Sequence, residues 1–134
     1  MSAPKRVLVV DDEEHVVAAL KAHLQVEGYI VIPAYSGEEA LELTEKEKPD
    51  IIVLDVMMPG MDGWQVLQRL RSQPETEETP VVMLTALTQD KDIERGWELG
   101  AHAYLTKPFD PAKLSRILAE QLALAEKRRT QRQG

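Results

Sequence analysis

A chain of 134 residues, 43% hydrophobic and 29% charged, is long enough for one ordinary domain, too short for two, and too apolar to be disordered. No apolar run approaches the roughly 20 residues that cross a bilayer, residues 1–6 lack the apolar core of a secretory signal, and the absence of Cys fits a reducing cytosol of prokaryotic type. The net charge is -7, and Lys127, Arg128, Arg129 and Arg132 contribute four positive charges near the end, so residues 1–126 stand at -11 and repel a nucleic-acid backbone. The division expected is a domain over residues 1–126 and a basic tail or linker start over 127–134.

Lys5 to Val10 is a Val-rich apolar run that ends in Asp11-Asp12-Glu13-Glu14, a first strand running into acids. Val16, Val17, Leu20 and Leu24 then recur at helical spacing, with acids in the first turn and Gly28 as the stop. Tyr29 to Ile32 is a second strand. Ser36 and Glu39 have the spacing of a capping box opening a helix with Ala40, Leu41 and Leu43, which Lys48-Pro49 closes.

Ile51-Ile52-Val53-Leu54 is a third strand, apolar on both faces, and Asp55 follows at its end. Pro59-Gly60 turns the chain, and a helix from about Gly63 to Arg71 turns Val66, Leu67 and Leu70 inward. After a polar loop and Pro80, Val81 to Thr85 is a fourth strand. Gln89 to Leu99 reads as a helix stopped by Gly100, and Ala103 to Thr106 as a fifth strand leading to Lys107-Pro108. Asp110 caps a last helix that has Pro111 at its first position and carries Leu114, Ile117, Leu118 and Leu122.

Five strands alternating with five helices over short loops specify a doubly wound α/β domain, a parallel sheet with helices on both faces. Right-handed crossovers leave few strand orders. One of them, 2-1-3-4-5, sets strands one and three side by side, so that Asp11 and Asp12 meet Asp55 at the carboxyl rim, where open sheets of this class bind ligands. An Asp at a strand end is otherwise no more than a solvated terminus.

Strand one ends in Asp11-Asp12, strand three in Asp55, strand four in Thr85 and strand five in Thr106-Lys107. Carboxylates that share one rim repel one another unless a cation joins them, and oxygen ligands select a hard ion such as Mg2+. Lys107 brings an ammonium and Thr85 a hydroxyl. The set suits an incoming phosphoryl group, with cations on its oxygens and a carboxylate attacking phosphorus.

The motifs Val-Val-Asp11-Asp12-Glu13, Leu-Asp55-Val-Met-Met-Pro59-Gly-Met-Asp-Gly63, Leu84-Thr85-Ala86 and Tyr104-Leu-Thr-Lys107-Pro108-Phe109 stand in order across residues 5 to about 125. In these the chain resembles the receiver domain of two-component response regulators. The resemblance implies a flavodoxin-like fold of order 2-1-3-4-5, with Asp55 as phospho-acceptor and a cis bond at Lys107-Pro108. It implies Mg2+ held by Asp12, Asp55 and the backbone carbonyl of Met57, with Asp11 acting through water. Lys107 would pair with Asp55 or its phosphoryl group, Thr85 would swing towards the phosphoryl oxygens, and Tyr104 would rotate inward. Small Ala86 would leave phosphoryl donors room to approach.

The implied partners are a sensor histidine kinase or histidine phosphotransfer protein upstream and a protein target or output domain downstream, all in the cytoplasm. The implied output face is the fourth helix, fifth strand and last helix. Such a domain is a signalling phospho-acceptor and not a classical enzyme.

The chain departs from well-known members at Met57, at Leu87 and in the segment 100–103. Met57 and Leu87 are apolar where some relatives carry polar side chains that orient attacking water, which predicts slow loss of phosphate. Gly100-Ala101-His102-Ala103 replaces the Gly-Ala-Asp-Asp of many DNA-binding members, which puts their receiver dimer in doubt.

The alternatives are weaker on residues. A dehalogenase-like phosphatase needs a second Asp where Met57 stands, and no glycine-rich phosphate loop is present. A receiver-shaped adaptor that takes no phosphate is the remaining rival. His15, His23 and His102 lack metal-ligand spacing, and Trp64 and Trp97 read as helix-packing residues.

Overall fold

The computed structural model describes residues 3–86, 94 and 98–133. Its sheet consists of β1 (Arg6–Val10), β2 (Ile30–Ala34), β3 (Ile51–Asp55), β4 (Val81–Thr85) and β5 (Ala103–Thr106), all parallel and in the order β2-β1-β3-β4-β5. Helices α1 (Glu14–Val26), α2 (Gly37–Glu47) and α3 (Gly63–Arg71) and a final helix, Pro111–Gln133, flank it. This is the doubly wound, flavodoxin-like order expected. The helix expected over Gln89 to Leu99 lies mostly outside the described residues, as do Leu87 and Trp97.

Alternation along the strands divides the core into two layers. Leu8, Val10, Ile52, Leu54, Val81 and Met83 face Ala40 of α2 and Trp64, Val66, Leu67 and Leu70 of α3. Val7, Val9, Ile51, Val53, Val82 and Leu84 face Val17, Leu20 and Leu24 of α1 and Leu114 and Leu118 of the final helix. β3 is therefore buried along its whole length, as an apolar central strand requires.

The helix starts follow the residues. The Ser36 hydroxyl accepts from the Glu39 N–H, while the Glu39 carboxylate accepts from the Tyr35 N–H one position further back than a full capping box would have it. Asp62 and Gln65 make the complete reciprocal box at α3. Asp110 caps the final helix, which continues without a break through Lys127 to Gln133, beyond the boundary expected near residue 126. β2 is longer than expected because Pro33 is tolerated on an outer strand, where its missing N–H interrupts no second ladder.

Candidate functional site

Parallel strands put all their carboxyl ends on one rim. Val10 of β1 pairs with Leu54 of β3, so Asp11 and Asp55 leave the sheet as neighbours. Asp11 and Asp55 are buried while Asp12 is exposed. One carboxylate oxygen from each of the three lies within 4.8 Å of the others.

Lys107 closes the group from the end of β5. Its Nζ donates to Asp11 Oδ2 at 2.9 Å and lies 3.1 Å from Asp55 Oδ1. Its backbone N–H donates to the Thr85 carbonyl, which ties the β4 and β5 ends together, and Lys107-Pro108 is cis. The other oxygen of Asp11 accepts from the Glu13 N–H, so Asp11 is fixed at both ends.

One cation among three carboxylates leaves negative charge unbalanced. Burial, then the charge of Asp11, pushes the Asp55 carboxyl up to about 6, against the opposing pull of Lys107. Burial alone would lower the Lys107 ammonium, but its hydrogen bonds to Asp11 and Asp55 outweigh that and hold it above its ordinary value. The two shifts agree physically: Lys107 is surrounded by acid, whereas Asp55 must share Lys107 with Asp11. A hard divalent cation fits this donor set, because all the ligands are oxygens and the excess charge is what it would neutralise. The acidic cluster is thus competent to hold Mg2+.

The β3–α3 connection is set by close packing. Gly63, the first residue of α3, lies so near β3 that a Cβ would overlap the Asp55 carbonyl oxygen and stand 2.8 Å from Val56 Cα. Its N–H donates to the Val56 carbonyl at 2.9 Å. Gly60 takes the left-handed turn that makes this return possible.

The other expected residues are distributed as follows. Thr85 is buried at the same rim, Ala86 is exposed next to it, and the Met57 side chain is 61% exposed. Tyr104 is half-buried, turned into the layer of α2 and α3, with its hydroxyl oxygen out of solvent and its phenol pushed up to about 12 by burial. His23 and His102 are absorbed in structure: His23 meets Ser115, and His102 Nδ1 accepts from the Val81 N–H and lies 3.0 Å from Arg71 Nη2. The sequence reading missed Gly63 as a packing requirement, the Arg71–His102 contact, and the ring contact between Trp64 and Tyr104.

The sequence profile described as "Response regulator receiver domain" matches residues 7–119. The chain belongs to this family. Among curated relatives it is 50% identical over 111 residues to the alkaline phosphatase synthesis transcriptional regulatory protein PhoP of Bacillus subtilis, covering 83% of this chain and 45% of that protein. It is 49% identical over 109 residues to the response regulator PleD of Caulobacter vibrioides, 81% of this chain and 24% of that one. The receiver thus spans half or less of the length of these relatives.

Solved structures agree. The chemotaxis protein CheY4 of Vibrio cholerae superposes with a TM-score of 0.84 at 36% identity, covering 88% of this chain and 98% of that one. The BeF3-activated N-terminal receiver domain of Klebsiella pneumoniae RstA gives 0.81 at 33%, covering 87% and 97%. This receiver is a signalling phospho-acceptor and not a classical catalytic enzyme. Among the described residues no helix is long and apolar enough to cross a membrane.

Proposed function

We propose that Asp55 is the residue that takes the phosphoryl group, and that the donor is the phosphohistidine of a sensor kinase or phosphotransfer protein in the cytoplasm. An Asp55 carboxylate oxygen attacks phosphorus, the P–N bond to the donor imidazole breaks, and that imidazole leaves with a proton from solvent. Asp12, Asp55 and the backbone carbonyl of Met57 would hold Mg2+, with Asp11 acting through water. When bound, the ion neutralises the phosphoryl oxygens and the acid cluster together.

Lys107 faces the same oxygens from the other side. The Thr85 hydroxyl turns towards the phosphoryl group, and Tyr104 settles inward behind it. That changes the face made by β5, the final helix and the expected fourth helix, on which a downstream target or output domain reads the state. The receiver unit is residues 1–126, and the basic segment 127–134 is its tail or the start of a linker.

The observation that carries this reading is Lys107 Nζ spanning Asp11 and Asp55 at 2.9 and 3.1 Å above an acidic trio. Incubation with acetyl phosphate and Mg2+ should retard the chain on a phosphate-affinity gel, and Asp55→Asn should abolish the shift. An unshifted chain would instead be an adaptor that takes no phosphate.

A further inference from the structure

Tyr104 does not pack against aliphatic side chains alone. Its ring centroid lies 6.4 Å from that of Trp64, with the planes inclined by 51°, inside the range in which aromatic pairs attract through their quadrupoles. Trp64 is 6% exposed and belongs to the core layer between the sheet and α2 and α3, so its ring is held on all sides. It is also the residue after Gly63, whose contact with the Asp55 carbonyl and Val56 Cα pins the start of α3 to the acceptor strand. The Trp64 ring is thus packed in the core one residue after the point where α3 abuts the Asp55 backbone.

We infer that Trp64 is a positioning residue that forms the seat of the inward Tyr104, a second connection between the acceptor and β5 that runs through Gly63 and α3. This rests on the reading of Tyr104 as the switch. Thr85 stands in register with Thr106 and the β4 partner of Tyr104 is Met83, whereas the Trp64 ring meets Tyr104 directly from the helix layer. An aromatic pair of this geometry favours the paired arrangement roughly two- to tenfold over an aliphatic contact of similar area. The inward position is thus already favoured before any phosphoryl group arrives, and phosphorylation adds to an existing bias.

The chain has three tyrosines, at 29, 35 and 104, so labelling with 3-fluorotyrosine gives three 19F resonances, and Tyr104→Phe identifies the relevant one. The shift of that resonance between H2O and D2O reports solvent contact at residue 104, free of the ring-current change that replacing a tryptophan brings. The comparison is between the parent, Trp64→Phe, and Trp64→Leu, with Trp64→Met as a second non-aromatic filler.

Parent and Trp64→Phe should show the same small isotope shift, and Trp64→Leu and Trp64→Met one at least twice as large, with the Tyr29 and Tyr35 resonances unmoved. Labelling by acetyl phosphate should persist in all four, with the initial rate of Trp64→Phe within about twofold of the parent. An isotope shift at residue 104 in the Leu and Met variants equal to that of the parent overturns the proposal. Movement of all three resonances together overturns it as well, because general loosening then accounts for the change. Failure of every variant to take phosphate would refute the acceptor reading instead, and the shift at Tyr104 in the unphosphorylated chain would still decide this one.

Discussion

Lys107 Nζ stands 3.1 Å from Asp55 Oδ1 while it donates a hydrogen bond of 2.9 Å to Asp11, so one ammonium divides its charge between two buried carboxylates. Replacing it by Met leaves Asp55 with burial and like charge alone. The Asp55 carboxyl should then titrate well above 6, and labelling by acetyl phosphate should slow by about 10²-fold, the usual cost of losing one preorganised charge from a transition state. Carbon-13 titration of the side-chain carboxyls and gel-shift kinetics measure the two effects separately.

Asp55 opposes folding at neutral pH. Its folded pKa, about 6, lies above the ordinary 3.8, so the folded chain binds this proton more tightly than the unfolded chain. Its contribution to stability is therefore greatest below about pH 4, declines as pH rises through the window from 3.8 to 6, and stays unfavourable above it. In metal-free buffer at pH 7.5, Asp55→Asn should be more stable than the parent by about 1–2 kcal/mol, after allowing for water at the rim and the lost contact with Lys107. Thermal melts at pH 4 should show that advantage gone. Millimolar Mg2+ should narrow it at pH 7.5 by stabilising the parent.

Met57 is 61% exposed on the rim, two residues past Asp55, and its side chain offers an incoming water no hydrogen bond. Phospho-Asp55 should therefore decay slowly, and Met57→Asn should speed its hydrolysis several-fold with little change in the rate of labelling. Following the loss of the retarded band after removal of acetyl phosphate tests both statements, and equal decay of the two proteins would exclude a role for this position.

His102 works as a neutral acceptor. Burial, with the nearby charges of Arg71 and Arg128, lowers its imidazole to about 4, and its Nδ1 accepts from the Val81 N–H while Arg71 Nη2 lies 3.0 Å away. His102→Ala leaves the N–H at the start of β4 without its acceptor and should cost about 1–3 kcal/mol. In the parent the unfolded chain takes up this proton from about pH 6.5 downward and the folded chain only near 4. This site should thus lower stability progressively as pH falls through that window, and the pH dependence should flatten there in the variant. Denaturant midpoints at pH 7 and pH 5 give the comparison.

Much of this architecture could be read from residues alone, for identifiable reasons. Ile51 to Leu54 are apolar without interruption because β3 is covered on both faces, and an Asp placed after such a run has only the rim to occupy. Ser36 announced α2 because an N-cap is a local device needing no tertiary partner, and its hydroxyl accepts from the Glu39 N–H. What could not be read depends on distance through space. Nothing in Trp64 or His102 as letters tells that one meets Tyr104 and the other Arg71, because those contacts arise from the crossing of elements 40 and 31 residues apart. Gly63 was visible as the start of a helix, but its closeness to Asp55 required the return path of the β3–α3 loop. The strand order came from resemblance, since several right-handed windings satisfy the same pattern.

Pro33 occupies the outermost strand, opposite Val9. An open sheet border is a template on which another polypeptide can crystallise its own backbone, and a ring nitrogen without hydrogen spoils that template. This border of the receiver is thereby guarded against fusing edge to edge into fibres by a single imino acid, next to the Ala34 whose carbonyl accepts from the Asp11 N–H.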